Sequence, residues 1–200
     1  VSPSTLLLSG SGSAIKVSGP SPVSENINGG SSAWFTWTYS ATGTGSVTFT
    51  GRASGTDINS GLVKYSPEAL ASTNVQKNVN LSVALSASPA TAKTGAQITV
   101  IASVTNETGA ATAANVSITP QALGLILTGS VNPAIISSPA PVSKTVAGGT
   151  TQYFTWIYNA GTQTGTISFT GRAIASDANA GWAVDGTQVQ SNDVSVLTSA

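Results

Sequence analysis

Phe154-Thr-Trp-Ile-Tyr158 and, 119 residues earlier, Phe35-Thr-Trp-Thr-Tyr39 are one strand written twice. In an extended chain alternate side chains share a face, so each copy lines up three aromatic rings. The duplication continues downstream, where Phe49-Thr-Gly-Arg-Ala53 recurs as Phe169-Thr-Gly-Arg-Ala173 at a spacing of 120, one residue having been gained within residues 159–165. Upstream, Pro22-Val-Ser24 matches Pro141-Val-Ser143, and Gly29-Gly30 matches Gly148-Gly149. Beyond the arginines, Asp57-Ile-Asn-Ser-Gly61 matches Asp177-Ala-Asn-Ala-Gly181. A self-similarity of this length marks a duplicated folding unit.

The two copies are unequal. Leu7-Leu-Ser-Gly10 aligns with Ile126-Leu-Thr-Gly129, and the second copy carries about forty further residues, 80–119, with no counterpart in the first. This divides the chain into a partial repeat, 1–78, and a complete repeat, 79–200. Period-two alternation predicts strands over residues 80–86, 97–105, 116–118, 125–128, 151–158, 165–175 and 188–197, with a proline-broken stretch at 133–146. The one helix-like segment, Pro67-Glu-Ala-Leu-Ala71, is read as a single turn within a loop. This density of short strands predicts an all-β fold of tandem immunoglobulin-like β-sandwiches, the first incomplete. The expected core is Phe35, Trp37, Tyr39, Phe49 and Gly51 in the first copy and Phe154, Trp156, Tyr158, Phe169 and Gly171 in the second. The glycines are expected to leave room for the indole rings.

Only 7% of the 200 residues are charged, and the seven cations balance the seven anions. Little charge repulsion opposes self-association. The cations are scattered singly, which argues against nucleic acid and anionic membranes as partners. No apolar run approaches the ~20 residues of a membrane-spanning helix. Cysteine, methionine and histidine are absent, so thiolate and imidazole chemistry, disulfides and their metal sites are excluded. A chain free of the two most oxidisable side chains suits an oxidising exterior.

Asn80-Leu-Ser-Val-Ala-Leu-Ser-Ala-Ser-Pro89, then Gly95-Ala-Gln-Ile-Thr-Val100 and Val104-Thr-Asn-Glu-Thr-Gly109, resemble the opening strands of bacterial and archaeal cell-surface Ig-like repeats of the CARDB and DUF11 type. The resemblance covers residues 80–199 fully and 6–79 in part. Its closing Val-x-Asn-x-Gly motif is one residue longer here. It implies an extracellular stalk, adhesin, surface layer or fibre, and no cofactor.

Seven single carboxylates, Glu25, Asp57, Glu68, Glu107, Asp177, Asp185 and Asp193, offer no acid–base pair, and catalytic residues are not expected. Asp177, Asn179 and Asp185 are a weak calcium candidate, because alternate oxygen side chains can converge on one ion. The competing reading is a turn stabilised by the aspartate side chain, and it is preferred. Arg52 and Arg172 fall on outward strand positions, as docking contacts or as ion pairs with Asp57 and Asp177. Trp34 and Trp182 fall outside the core face and are interface candidates. Leu62 takes the place of Trp182 in the first copy and Tyr153 that of Trp34 in the second, which favours packing against neighbours over a shared sugar site. Asn80, Asn106 and Asn115 open glycosylation sequons.

The expectation is a non-enzymatic structural segment of an extracellular filament, stalk or surface layer. Its partners would be copies of itself or adjacent repeats, with surface glycans as further candidates. The missing strands of the first copy raise assembly by inter-chain strand complementation. The alternatives are a cell-surface adhesin and a carbohydrate-binding module.

Overall fold

The computed structural model describes residues 1–119 and 126–199; Leu125, at the head of one expected strand, lies outside them. The described residues are all-β, and they divide into two compact units, Val1–Gln76 and Lys77–Ala200.

The first unit holds β1 (Ser2–Pro3), β2 (Leu7–Ser9), β3 (Ser13–Ser21), β4 (Thr36–Gly43), β5 (Gly45–Gly51), β6 (Ala53–Thr56), β7 (Val63–Tyr65) and β8 (Ala69–Val75). They form three small sheets, ordered β1-β6-β7, β2-β5-β8 and β3-β4. The segment expected to make a helical turn is strand instead. Leu70 pairs with Thr50 and Ala71 with Phe49, so sheet pairing outweighs the local helical preference of Glu-Ala-Leu-Ala.

The second unit holds β9 (Leu81–Ser88), β10 (Thr91–Lys93), β11 (Gln97–Asn106), β12 (Ala113–Thr119), β13 (Ile126–Gly129), β14 (Ala134–Ser137), β15 (Lys144–Val146), β16 (Thr151–Asn159), β17 (Gly165–Asp177), β18 (Ala183–Asp185), β19 (Val189–Gln190) and β20 (Val194–Leu197). One sheet runs β14-β16-β11-β9, the other β10-β20-β17-β12-β15, with β13, β18 and β19 also on β17. Alternation explains how they meet: Ile98, Val100, Ala102 and Val104 of β11 are buried while the residues between them are not. They join Val116, Ile118, Ile167 and Phe169 of the other sheet in one core.

The duplication holds at the level of register. In the first unit Leu8 of β2 pairs with Phe49, and in the second Leu127 of β13 pairs with Phe169. Both units pinch the same backbone. Gly10 and Gly129 have positive φ, and a β-carbon at either would meet a carbonyl oxygen, that of Ser46 or of Thr166, at about 2 Å. Only glycine fits there. What differs is completeness. Strand β16 pairs with β14 on one edge and β11 on the other, whereas among the described residues its duplicate β4 pairs with β3 alone.

Candidate functional site

The open edge of β4 borders the principal groove of the first unit. Its apolar walls include Phe35, Trp37, Tyr39, Phe49 and Leu6, with Trp34 at the margin, and its volume is about 560 Å³. Tyr39 and Phe49 stack at 4.9 Å between ring centroids, as Tyr158 and Phe169 do at 4.8 Å in the second unit. The aromatic face is therefore built the same way in both, but it is covered in only one. Phe154, Trp156, Tyr158 and Phe169 are at most 2% exposed, in the core between the two sheets, and β16 has β11 beside it in the ladder. Phe35, Trp37, Tyr39 and Phe49 are partly exposed. Among the described residues Val47 is the one buried apolar side chain of the first unit, matching Ile167 of the second.

Gly171 is buried and Gly51 partly so, but the space beside Gly51 does not serve the indole. A β-carbon there would meet Leu6 Cδ2 at 2.5 Å, so the glycine admits a leucine from the segment before β2. Trp156 Nε1 is buried without a hydrogen-bond partner among the described residues.

The two Asp-x-Asn-x-Gly segments are turns. Asp177 Oδ1 accepts the backbone N–H groups of Asn179 and Ala180 at 2.9 and 3.0 Å, and Asp57 Oδ1 those of Asn59 and Ser60 at 2.8 and 3.0 Å. Gly61 and Gly181, both near φ +70°, close the turns by donating to the aspartate carbonyls at 2.8 Å. Of the three calcium candidates, both aspartates already have partners within the protein. Asp177 is 3% exposed, and its second oxygen accepts the Val79 N–H at 3.1 Å, while Asp185 is bound to Arg172 at 2.9 Å. Burial pushes the Asp177 carboxyl up, but the N–H groups of Val79, Ala180 and Asn179 outweigh it, and the net position is below the usual carboxylate range. Asp57 is likewise held low, by the backbone N–H groups of Ser60 and Asn59.

The arginine partners also differ from expectation. Arg172 pairs with Asp185 rather than Asp177, and Arg52 lies over the ring of Tyr65, 4.8 Å from its centroid, rather than against Asp57. Tyr65 and Asp185 occupy equivalent places in the two copies. An ion pair in one unit is thus a cation–π contact in the other. Both aspartates nominated from the sequence are already committed to their turns.

Of the sequon asparagines, Asn106 is fully buried. Its amide donates to the carbonyls of Ala111 at 2.8 Å and Val146 at 3.1 Å, and its oxygen accepts the Asn80 N–H at 3.3 Å. It is a structural bracket at the end of β11, and a glycan has no access to it in the fold. The Asn80 amide donates to Glu107 at 3.0 Å, and Glu107 also pairs with Lys77. Asn115 is exposed at a bulge of β12 with a φ of 53°. Trp34 and Trp182 are 88% and 65% exposed. Comparisons with protein-family models, curated proteins and solved structures find no match for this chain.

Proposed function

We propose that this chain is a structural segment of an extracellular filament, stalk or surface layer built from tandem immunoglobulin-like repeats, related to the CARDB and DUF11-type surface modules. The observation that carries the reading is the internal duplication with matched strand register, set in a chain with 7% charged residues. In such arrays each repeat forms its own core and length scales with copy number. Few titrating groups means that stability depends little on outside pH and salt.

The test is immunogold labelling of the native cells together with the denatured mass of the native protein. Label on the surface or on appendages supports the reading; label confined to the cytoplasm refutes it. The denatured mass gives the number of repeats per chain. A carbohydrate-binding role is favoured by one observation alone, the exposure of Trp34 and Trp182, and requires glycan binding that is lost in Trp182→Ala.

A further inference from the structure

We infer that the groove of the first unit is an acceptor for a β-hairpin of the β9–β11 type, supplied by polypeptide outside residues 1–200. The inference rests on the tandem-repeat reading for the donor's identity, and on the geometry of both units for its fit.

The second unit displays the filled form of the same site. Trp156 pairs across the ladder with Val100, Tyr158 with Ile98 and Phe154 with Ala102. Carried to the duplicate strand, Trp37, Tyr39 and Phe35 would stand opposite an incoming strand of the pattern Ile-x-Val-x-Ala-x-Val. It would run antiparallel on the edge of β4 that has no strand partner among the described residues. The residues between the apolar ones in β11, Thr99, Ile101 and Ser103, are not charged, and the groove wall has one charged residue, Arg52. Recognition is therefore by backbone pairing and apolar fit, not by charge.

A second contact fixes the entry of the donor. Where the chain enters β9, Val79 donates its N–H to Asp177. Asp57 occupies the equivalent place and accepts N–H groups from its own turn, but none from an incoming strand among the described residues. The donor residue equivalent to Val79 would complete it.

A second copy of the chain does not meet the need. Each copy has two aromatic grooves and one such hairpin, and that hairpin is seated in its own second unit, with Ile98, Val100, Ala102 and Val104 each 0% exposed. Lending it to a neighbour would close one groove and open another, with no net gain in burial.

The test adds a synthetic peptide of residues 79–112 to the full 200-residue chain and follows amide exchange in β4 by mass spectrometry. The expected result is slowing of about tenfold or more over Thr36–Gly43, saturable in peptide. A peptide carrying Val100→Asp should lose the effect. Asp57→Asn in the chain should weaken peptide binding while leaving exchange in the second unit unchanged. No slowing at about 1 mM peptide, or equal slowing by the Val100→Asp peptide, overturns the inference. Protection of β4 without peptide, in a chain that light scattering finds dimeric or larger, also overturns it and makes a second copy the occupant. Peptide capture by a protein that labelling finds inside the cell would keep the groove and remove the surface array; a surface protein whose groove ignores the peptide would do the reverse.

Discussion

Trp37 and Trp156 are the same residue on the same duplicated strand, so replacing each with alanine measures the covering strand directly. Trp156 is 1% exposed and stands opposite Val100, and its truncation leaves a full cavity, costing about 3–5 kcal/mol. Trp37 is partly exposed, and among the described residues no strand lies on the second edge of β4. It has already forfeited the dispersion contacts and part of the burial that β11 gives its counterpart, so about 2 kcal/mol is expected for Trp37→Ala. Native-state hydrogen exchange in urea, resolved by peptide, reads the opening free energy of each unit separately. The expected result is a loss in the second unit for Trp156→Ala that is about twice the loss in the first for Trp37→Ala. A donor hairpin bound in the groove should raise the Trp37→Ala cost toward that of Trp156→Ala. Equal losses in the free chain would mean that Trp37 is fully packed, and the argument for an open acceptor would fail.

Four further outcomes follow from the second unit. Asn106→Ala removes the side-chain bonds to two carbonyls and to the Asn80 N–H, and should cost about 2–4 kcal/mol in the second unit only, read by the same exchange experiment. Gly129→Ala forces a side chain into the Thr166 carbonyl at positive φ and should cost at least about 2 kcal/mol, measured as a drop in the denaturation midpoint. The Asp177 carboxyl lies below its ordinary value in the fold, so its contribution is complete above about pH 4 and is lost as pH falls through the folded value. Thermal scans should show a second-unit transition flat from neutral pH to about 4.5 and falling below about 4, with a shallower acid limb in Asp177→Asn. Arg172→Ala removes an exposed ion pair and should change stability by no more than about 1 kcal/mol in thermal denaturation.

The strands were legible because alternation is a local signal: Ile98, Val100, Ala102 and Val104 declare their buried face without reference to any partner. The inequality of the two copies was legible for a similar reason, since residues 80–119 have no counterpart in an alignment of the chain with itself. Three features were not, because each depends on a contact distant in sequence. Asn106 looks like a sequon, and its bracketing role needs Val146, forty residues away. Glu-Ala-Leu-Ala carries helix-forming residues, and only pairing with β5 makes it strand. Gly51 is expected from the sequence to make room for the indole, whereas the leucine that claims its space lies in the segment leading into β2. The recurrence of Asp57 and Asp177 was visible, but its meaning depended on Val79, which only the complete copy possesses.

The pairing of β10 with β20 is parallel, Thr91 opposite Ser195 and Lys93 opposite Leu197; β20 is the last strand of the second unit and β10 follows its first, β9, toward the other end. Tension on those ends draws the two strands past one another along their length. The ladder bonds are then loaded together in shear, as in a lap joint, instead of being peeled one at a time as at the mouth of a hairpin. Rupture requires them to break nearly at once, so this unit should resist pulling far better than its modest number of terminal bonds would imply.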